Sequence, residues 1–582
     1  MKRDLKHIRA LGLIAGLSMS FVAGIGMVEK FNIRVLIEPA VTMGYLVLFV
    51  MPFVAGSLAA RGVPNPLVEP VRDPRANGIS GLITGLIAGV FTAIFVLIID
   101  TFDVTEFFPN MRASTVEEMT FGFGLAVGLV VLVLATTVIG GLGGTIFGLP
   151  QRVRRGLTTA GGWVLGFALF EVIVSDIFSF ADFLLDLIYA PQGGLEIWSA
   201  VIIGALAWWL TARYEGRAKE FALTVRDADP KSRIRRSVIW AGILAAILLP
   251  MLLGGIVNEL LINVSLFILM GLGLNIVIGL AGLLDLGYVA FFAVGAYGTA
   301  VLTSTMGSAI GPGWSWWIAL PVVMVFAALA GLFVGTPVLR MRGDYLAIVT
   351  LGFGEIVRIL LLSDWLTPIF GGAQGIRRIP GIPVPFLGTI SGTRPELFIY
   401  FMMIFIGIAA YISYRAQNSR VGRSWAAMRE DEDVAEAIGV STVNAKLLAF
   451  ITGAVIASFA GALFSAKVGT VFTNSFDVLV SIIILVVVIV GGMGSIPGVF
   501  VGAFVLIGVL GGPKSPGLLQ EFAEYKLLIY GALLVFMMLK RPEGLWPSAR
   551  RSRELHQEEA LQDAWLDKAG EFDDDESGEV TS

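Results

Sequence analysis

Cysteine is absent from this chain of 582 residues, and histidine occurs only twice, at His7 and His556. The first absence excludes disulfides and thiol chemistry, although it does not identify a compartment. The second argues against a histidine-based metal site. Charge is scarce as well, because 15% of the residues are Asp, Glu, Lys or Arg, against about 25% in ordinary soluble domains. This shortage of charge excludes a soluble globular protein.

Two sequence patterns are also missing. Apolar and polar residues do not alternate along the long apolar runs, which excludes the strands of a transmembrane β-barrel. The phosphate-binding loop G-x-x-x-x-G-K-[ST] does not occur, so the chain is not expected to hydrolyse ATP itself. The chain is instead 56% hydrophobic and contains 70 glycines, and small residues let helices pack closely in a bilayer. We therefore predict an all-α, polytopic helical membrane protein.

Apolar runs of the length that a bilayer requires, about 20 residues, occur along most of the chain. Six spans are predicted in the first part, at 11–28, 36–60, 79–100, 121–148, 157–180 and 196–212. About ten follow, at 238–257, 261–281, 284–305, 316–337, 345–364, 397–414, 446–466, 477–492, 495–511 and 525–540. The basic N-terminus resembles a signal peptide, but a convincing cleavage site is not evident before Glu29, so a retained first span is expected.

Charge in the predicted loops alternates in sign. Arginines follow the second and fourth spans and a dense basic run follows the sixth, whereas the loops between them are acidic. By the positive-inside rule, both termini are expected in the cytoplasm. The predicted domains are a six-span N-terminal domain at 1–212, a basic cytoplasmic linker at 213–237, a ten-span domain at 238–547 and a disordered acidic tail at 548–582.

Ionisable and amide side chains within the apolar runs are candidates for a pathway or for the polar core. Asp285 lies in the glycine-rich stretch 271–302, and the predicted topology places it at a cytoplasmic turn. A turn-fixing role is therefore favoured over an ion or substrate site. Glu355 and Arg358, three residues apart, can pair on one helix face, and we interpret them as a buried structural pair first and as pathway lining second. Asn275 could hydrogen-bond across helices.

The segment 418–446 is far more charged than its neighbours, yet it is patterned. Trp425, Met428, Ala435 and Ile438 could share one side of a short amphipathic helix, and Gly439 is a plausible stop. Such a helix can dock into a groove of another protein. A solvated loop that only sets topology is equally compatible with the composition.

The Pro- and Gly-rich segment 365–396 is predicted to lie outside the membrane, opposite the charged loop. It could be a docking surface for an external partner or an ordered lid over the bundle, and the sequence leaves both open.

Four long segments resemble one protein family, in the family's order. They are LNIVIGLAGLLDLGYVAFFAVGAY (274–297), RMRGDYLAIVTLGFGEIVRI (340–359), GRSWAAMREDEDVAEAIGV (422–440) and GGMGSIPGVFVGA (491–503). Residues 238–547 are thus similar to permease subunits of branched-chain amino acid ABC transporters of the LivM type. GGAQGI at 371–376 departs from the family's usual Pro-Asn pair, and residues 1–212 have no recognised counterpart.

The resemblance implies a transport subunit in the bacterial inner membrane that is not an enzyme. It implies a LivH-type permease partner, two cytoplasmic ATPases (LivG/LivF type) that bind ATP-Mg, and a periplasmic substrate-binding protein; this chain itself would bind no cofactor. The family's ATPase-coupling pattern falls on Gly422, Arg423, Ala427, Arg429, Glu430, Ala435 and Gly439. Two alternatives remain, a urea or short-amide ABC permease and a stand-alone secondary carrier or channel.

Overall fold

The chain forms two compact units, Met1–Ile243 and Leu244–Ser582. The structure, a computed structural model, describes residues 5–39, 41–62, 73–102, 110–178, 182–227, 237, 240, 244, 247–305, 310–338, 341, 344–513, 515 and 517–548. The predicted tail at 548–582 lies outside these residues except for Ser548, and so does part of the predicted span 238–257.

The first unit is helical, with one small sheet. Its helices are α1 (Leu5–Gly24), α2 (Met27–Asn32), α3 (Met43–Arg61), α4 (Pro74–Thr101), α5 (Ala113–Met119), α6 (Leu125–Gly148), α7 (Gln151–Leu169), α8 (Glu171–Ile177), α9 (Asp182–Ile188) and α10 (Ile197–Asp227). Strand β1 (Val35–Glu38) pairs antiparallel with β2 (Val41–Thr42) and parallel with β3 (Leu195–Glu196). Helix α10 continues through the first half of the predicted linker, up to Asp227.

Glycines let three helices of this unit approach each other closely. A Cβ at Gly81 or Gly56 would overlap the carbonyl oxygen of Gly140 on α6, and a Cβ at Gly85 would overlap that of Thr136. The GGLGG cluster is therefore a close-packing site, as small residues in membrane helices allow. In the TAGGW cluster (159–163), by contrast, a Cβ at Gly161 or Gly162 would meet nothing within 4 Å among the described residues, so these glycines are not at a close helix contact.

The second unit contains the remaining helices. They are α11 (Gly255–Leu274), α12 (Val289–Thr303), α13 (Trp316–Val338), α14 (Asp344–Leu362), α15 (Thr367–Phe370), α16 (Pro395–Gln417), α17 (Arg420–Glu430), α18 (Glu432–Ala437), α19 (Thr442–Val468), α20 (Val478–Gly491), α21 (Ile496–Ala503) and α22 (Lys526–Lys540). Helices α11 and α21 each continue into a π-helical segment, at Asn275–Leu280 and Phe504–Leu510. Its core is built around α11 and α19, on which most residues are buried.

The segment 365–396 is an ordered structure, here named the cap. Strand β4 (Ile376–Arg377) pairs antiparallel with β7 (Thr470–Val471), and β5 (Ile382–Val384) pairs antiparallel with β6 (Gly388–Ile390) in a hairpin. Gly375 has φ +63°, in the left-handed region, and a Cβ there would overlap the carbonyl oxygen of Val471. Gly375 is thus required by the close approach of the cap to the strand after α19, whereas a Cβ at Gly371 would overlap the carbonyl oxygen of Gly375 within the segment itself.

The predicted fold class, an all-α polytopic membrane protein, is confirmed. Among the described residues, eleven helices are long and apolar enough to cross a membrane, or twelve if α7 and α8, bent by 74°, form one span. Six of the twelve fall in the first unit, as predicted. Two predicted spans are shorter than expected: the apolar helices in 284–305 and 495–511 cover only Val289–Thr303 and Ile496–Leu510. The first is shorter because residues 281–288 form a turn and not the start of a helix.

Candidate coupling element and central cavity

The charged segment between α16 and α19 folds into two short helices, α17 and α18, here named the coupling element (420–437). Ser419 starts α17, and its hydroxyl accepts a hydrogen bond from the backbone N–H of Gly422 at 3.2 Å. Asp431 starts α18 by accepting from the N–H groups of Asp433 and Val434 at 2.9 and 3.0 Å. Side-chain oxygens at helix starts satisfy N–H groups that lack a helical partner. Gly439, with φ +87°, ends the element as a left-handed residue that favours glycine.

One side of the coupling element is packed against its own unit. Trp425 and Met428 are buried, and the indole N–H of Trp425 donates to the carbonyl of Ala445 at 2.8 Å. Ala435 is buried as well. Ile438, predicted on the same side, is 70% exposed, and Val434 is 57% exposed. The prediction for Ile438 is wrong because α17 and α18 are separate helices, so one helical period does not run through both.

The predicted coupling residues divide into three groups by exposure. Arg423, Glu430 and Gly439 are exposed, Ala427 and Arg429 are half-buried, and Gly422 and Ala435 are buried. Gly422 is a packing residue, since a Cβ there would overlap the carbonyl oxygens of Ala416 and Gln417 at the end of α16. A surface for a partner is thus available at the exposed charges and at the exposed apolar side chains of Val434 and Ile438.

Arg429 connects the coupling element to the interior of the unit. Its guanidinium donates to the carbonyl of Gly279 at 2.6 Å, within the π-helical segment that ends α11. In the same segment, the side-chain oxygen of Asn275 accepts from the N–H of Gly494 at 2.8 Å, in the turn between α20 and α21. Asn275 therefore bonds across elements. Because a Cβ at Gly282 would lie 2.9 Å from the Arg429 side chain, this junction leaves little room for independent movement.

A second link joins the coupling element to α19. The ammonium of Lys446, whose side chain is 2% exposed, pairs with Glu432 at 2.5 Å. A buried charge is tolerated only with such a partner, so this pair fixes α18 against the first turns of α19.

Asp285 lies in the turn between the π-helical segment and α12, with 1% of its surface exposed. One carboxylate oxygen accepts from the N–H of Gly287 at 2.9 Å, and the neighbouring Leu286 N–H donates to the hydroxyl of Thr350 at 3.1 Å. A Cβ at Gly287 would overlap the carbonyl oxygen of Thr350. The geometry is that of a residue that holds a tight turn against α14.

Glu355 and Arg358 pair with each other on α14, with two contacts of 3.0 Å from the guanidinium Nε. The side chains are 35% and 31% exposed. The pairing agrees with the predicted spacing, whereas the predicted burial is wrong, because this face of α14 is only partly covered.

A cavity of about 770 Å³, here named the central cavity, lies at the end of the unit remote from the coupling element. Pro395, at the start of α16, and Lys467, at the end of α19, belong to its lining, and these are the helix ends that do not lead into the coupling element. Its apolar lining is formed mainly by α11, α12 and α19, with the side chains Leu266, Phe267, Met270, Phe292 and Phe464. The four polar candidates predicted from the sequence (Asn275, Asp285, Glu355 and Arg358) are not part of this lining.

A polar group in the same lining was not predicted. The Lys467 ammonium lies 2.6 Å from a carboxylate oxygen of Glu259 and donates to the side-chain oxygen of Asn263 at 2.7 Å. The side chain of Lys467 is 8% exposed and that of Glu259 46% exposed. The sequence offers one signal for this group, since each of the two charged residues lies at the end of an apolar run. The predicted span boundaries place both residues in loops.

Comparison with known proteins gives a consistent result for the second unit. Residues 256–538 match the family described as "Branched-chain amino acid transport system / permease component". The chain is 41% identical over 310 residues to the high-affinity branched-chain amino acid transport system permease protein LivM of Escherichia coli (strain K12), covering 50% of this chain and 69% of that protein.

Two more distant relatives agree. The probable branched-chain amino acid transport permease protein LivM of Methanocaldococcus jannaschii is 26% identical over 48% of this chain and 84% of its own length. The permease protein LivH of Escherichia coli (strain K12) is 24% identical over 48% of this chain and 91% of its own length. No solved structure matches. The first unit lies outside the family match. The all-helical membrane architecture and this similarity together show that the chain belongs to the family of branched-chain amino acid transport permeases.

Proposed function

We propose that the chain is the transmembrane permease subunit of an ATP-binding-cassette importer for branched-chain or related hydrophobic amino acids. The observation that carries the proposal is the 41% identity to Escherichia coli LivM, which extends over 69% of that protein. The second unit contains all the family-matched residues, and the coupling element lies within them.

ATP would be hydrolysed by two separate ATPase subunits that bind ATP-Mg, since the chain lacks a phosphate-binding loop. The coupling element is the surface proposed to receive an ATPase. Support comes from its exposed Arg423 and Glu430, together with Val434 and Ile438, which are apolar and exposed. A pocket on the ATPase that accepts an apolar pair and is rimmed by charge would match this surface.

Movement of the ATPases would reach the transmembrane helices through the buried side of the element. Trp425 and Lys446 bind it to α19, and Arg429 binds it to the π-helical end of α11. Alternating access then requires that ATP and the substrate-binding protein each favour one of two bundle arrangements, because only differential affinity shifts a population.

The full assembly would include a LivH-type permease partner and a periplasmic substrate-binding protein, in the bacterial inner membrane. The basic loops support an orientation with both termini and the coupling element in the cytoplasm. In that orientation the central cavity and the cap are on the periplasmic side, where a binding protein delivers substrate.

Uptake in cells or proteoliposomes tests the proposal directly. The chain is co-expressed with the partner permease, both ATPases and the binding protein, and uptake of labelled leucine is compared with that of labelled urea. ATP-dependent uptake of leucine but not urea is expected. Uptake of urea alone, or leucine uptake that persists without the ATPases and follows an ion gradient, would contradict it.

A further inference from the structure

The lining of the central cavity has a charged part and an apolar part, as an α-amino acid with an apolar side chain does. One wall carries Lys467, which lies within hydrogen-bonding distance of both Glu259 and Asn263. The remaining lining is mostly aliphatic and aromatic, including Phe267, Phe292 and Phe464. Small-molecule sites are typically apolar concavities with a few convergent polar groups.

We propose that the central cavity is the transit site for the amino acid within the permease, and this rests on the proposed function. Lys467 receives the α-carboxylate, Glu259 receives the α-ammonium, and the aromatic side of the cavity receives the apolar side chain.

Charge balance favours this occupant over others. Lys467 is nearly buried, so its ammonium needs an anionic partner at all times. In the empty cavity Glu259 is that partner. A zwitterion that enters between them supplies one carboxylate and one ammonium, so both protein charges exchange one partner for another and neither is left alone. An uncharged molecule such as urea offers no such exchange.

The exposure of the two charges also fits an accessible site. The side chain of Glu259 is 46% exposed, while Lys467, in the last turn of α19, is 8% exposed. Asn263, one helical turn after Glu259 on α11, keeps a hydrogen bond to Lys467 that does not depend on Glu259. The ammonium therefore retains one polar contact while the ion pair opens.

The size of the cavity is appropriate. A volume of about 770 Å³ falls within the ~300–1,000 Å³ of typical small-molecule sites. It accommodates a branched-chain amino acid with accompanying water. Among the described lining residues the charged ones are Glu259 and Lys467, so none of those on the apolar side carries a charge that would select a polar side chain.

Equilibrium binding to the purified permease–ATPase complex, without the substrate-binding protein, tests the site. Labelled leucine is the probe, and two analogues compete: 3-methylbutylamine, which lacks the carboxylate, and 4-methylpentanoate, which lacks the amine. Lys467→Met should weaken leucine and 4-methylpentanoate at least tenfold and leave 3-methylbutylamine unchanged. Glu259→Gln should instead weaken leucine and 3-methylbutylamine and leave 4-methylpentanoate unchanged.

Matched controls are Lys540→Met and Glu396→Gln, which make the same charge changes at exposed positions outside the cavity lining. Both should bind leucine as the unaltered complex does. If Lys467→Met does not assemble, Glu259→Gln alone decides the result, because Glu259 is partly exposed and its amide is isosteric.

Three results would overturn the transit site: no leucine binding to the unaltered complex, unchanged binding in both cavity variants, or equal losses for both analogues. Equal losses for both analogues are expected if the ion pair of Lys467 and Glu259 is only structural. Leucine uptake by the complete unaltered transporter is measured in parallel. Normal leucine uptake together with a failed binding test would contradict the transit site but not the proposed function. Absent leucine uptake would contradict the proposed function.

Discussion

Gly422 illustrates how a residue of a partner-binding pattern can have its role inside the protein. Its Cα lies against the end of α16, where a Cβ would overlap two backbone carbonyl oxygens. Backbone atoms cannot be moved as cheaply as a flexible side chain, and overpacking of this kind typically costs about 1–3 kcal/mol.

We therefore expect Gly422→Ala to lower the thermal unfolding midpoint of the detergent-solubilised protein by several degrees. The control is Gly407→Ala on α16, where a Cβ would meet nothing within 4 Å. Equal midpoints for the two variants, measured by size-exclusion chromatography after heating, would show that Gly422 is not a packing residue.

Arg423 is the contrasting case, because its side chain is exposed one residue further along α17. Arg423→Glu should leave the thermal midpoint unchanged and reduce co-purification of the ATPases severalfold, since it reverses a charge on the proposed docking surface. Lys540→Glu, an exposed charge reversal outside the coupling element, is the control. Normal ATPase recovery with Arg423→Glu would remove this residue from the interface.

Lys467 shows the limit of sequence reasoning at this scale. A lysine in the last turn of an apolar helix is common, because it complements the helix dipole there. Its partner Glu259 lies 208 positions earlier in the chain. Nothing in the local pattern of either residue indicates the other. Asp285 was easier to place, since an acidic residue beside glycine between two apolar runs is typical of a turn.

At the scale of elements, the coupling element and the π-helical end of α11 form a single mechanical connection through Arg429. Its hydrogen bond to the Gly279 carbonyl crosses 150 positions of sequence. Apolar periodicity predicts that a helix is present over these residues, but a π turn and an α turn bury similar side chains, so the pattern does not distinguish them. π-helical turns occur frequently at functional sites.

Arg429→Ala should uncouple the transporter. The exposed surface of the coupling element is unchanged, so ATPase co-purification and basal ATP hydrolysis are expected to persist. Leucine uptake per ATP hydrolysed should fall by about tenfold, consistent with loss of a hydrogen bond from a charged donor, about 1.5–3 kcal/mol. Arg429→Lys keeps the charge but has fewer hydrogen-bond donors, so its leucine uptake per ATP hydrolysed should lie between the values of the unaltered protein and of Arg429→Ala. An unchanged transport-to-hydrolysis ratio in Arg429→Ala would contradict this connection.

At the scale of the whole molecule, the second unit contains the complete family match, and the first unit lies outside it. A chain without residues 1–235 keeps Arg236 ahead of the second unit, so the positive-inside signal for its orientation is retained. We expect this truncated chain to retain leucine uptake when its partner subunits are present. Abolished uptake by a truncated chain that is inserted and monodisperse would assign a transport role to the first unit.

The general architecture was predictable because length and hydrophobicity dominate in a bilayer. Segments such as Pro74–Thr101 and Thr442–Val468 have no stable alternative to a helix in that environment. The shorter helix Val289–Thr303 was not predictable in the same way. Its preceding turn is apolar and is held by tertiary contacts, among them the bond from Leu286 to Thr350. Similarly, the sequence left the cap undecided, because its first strand, β4, pairs with β7 after α19, about 95 positions later in the chain.

The cap is tied to the helix that carries Lys467. The N–H of Gly392 donates to the Lys467 carbonyl at 3.0 Å, and the N–H of Ile379 donates to the Gly469 carbonyl at 2.9 Å. Phe386, at the hairpin tip, is fully exposed. Because the chain contains no cysteine, a single thiol introduced at 386 would accept a fluorophore without competing reactions. Such a label would make the cap an optical reporter of the cavity, and its emission could follow substrate delivery during single turnovers.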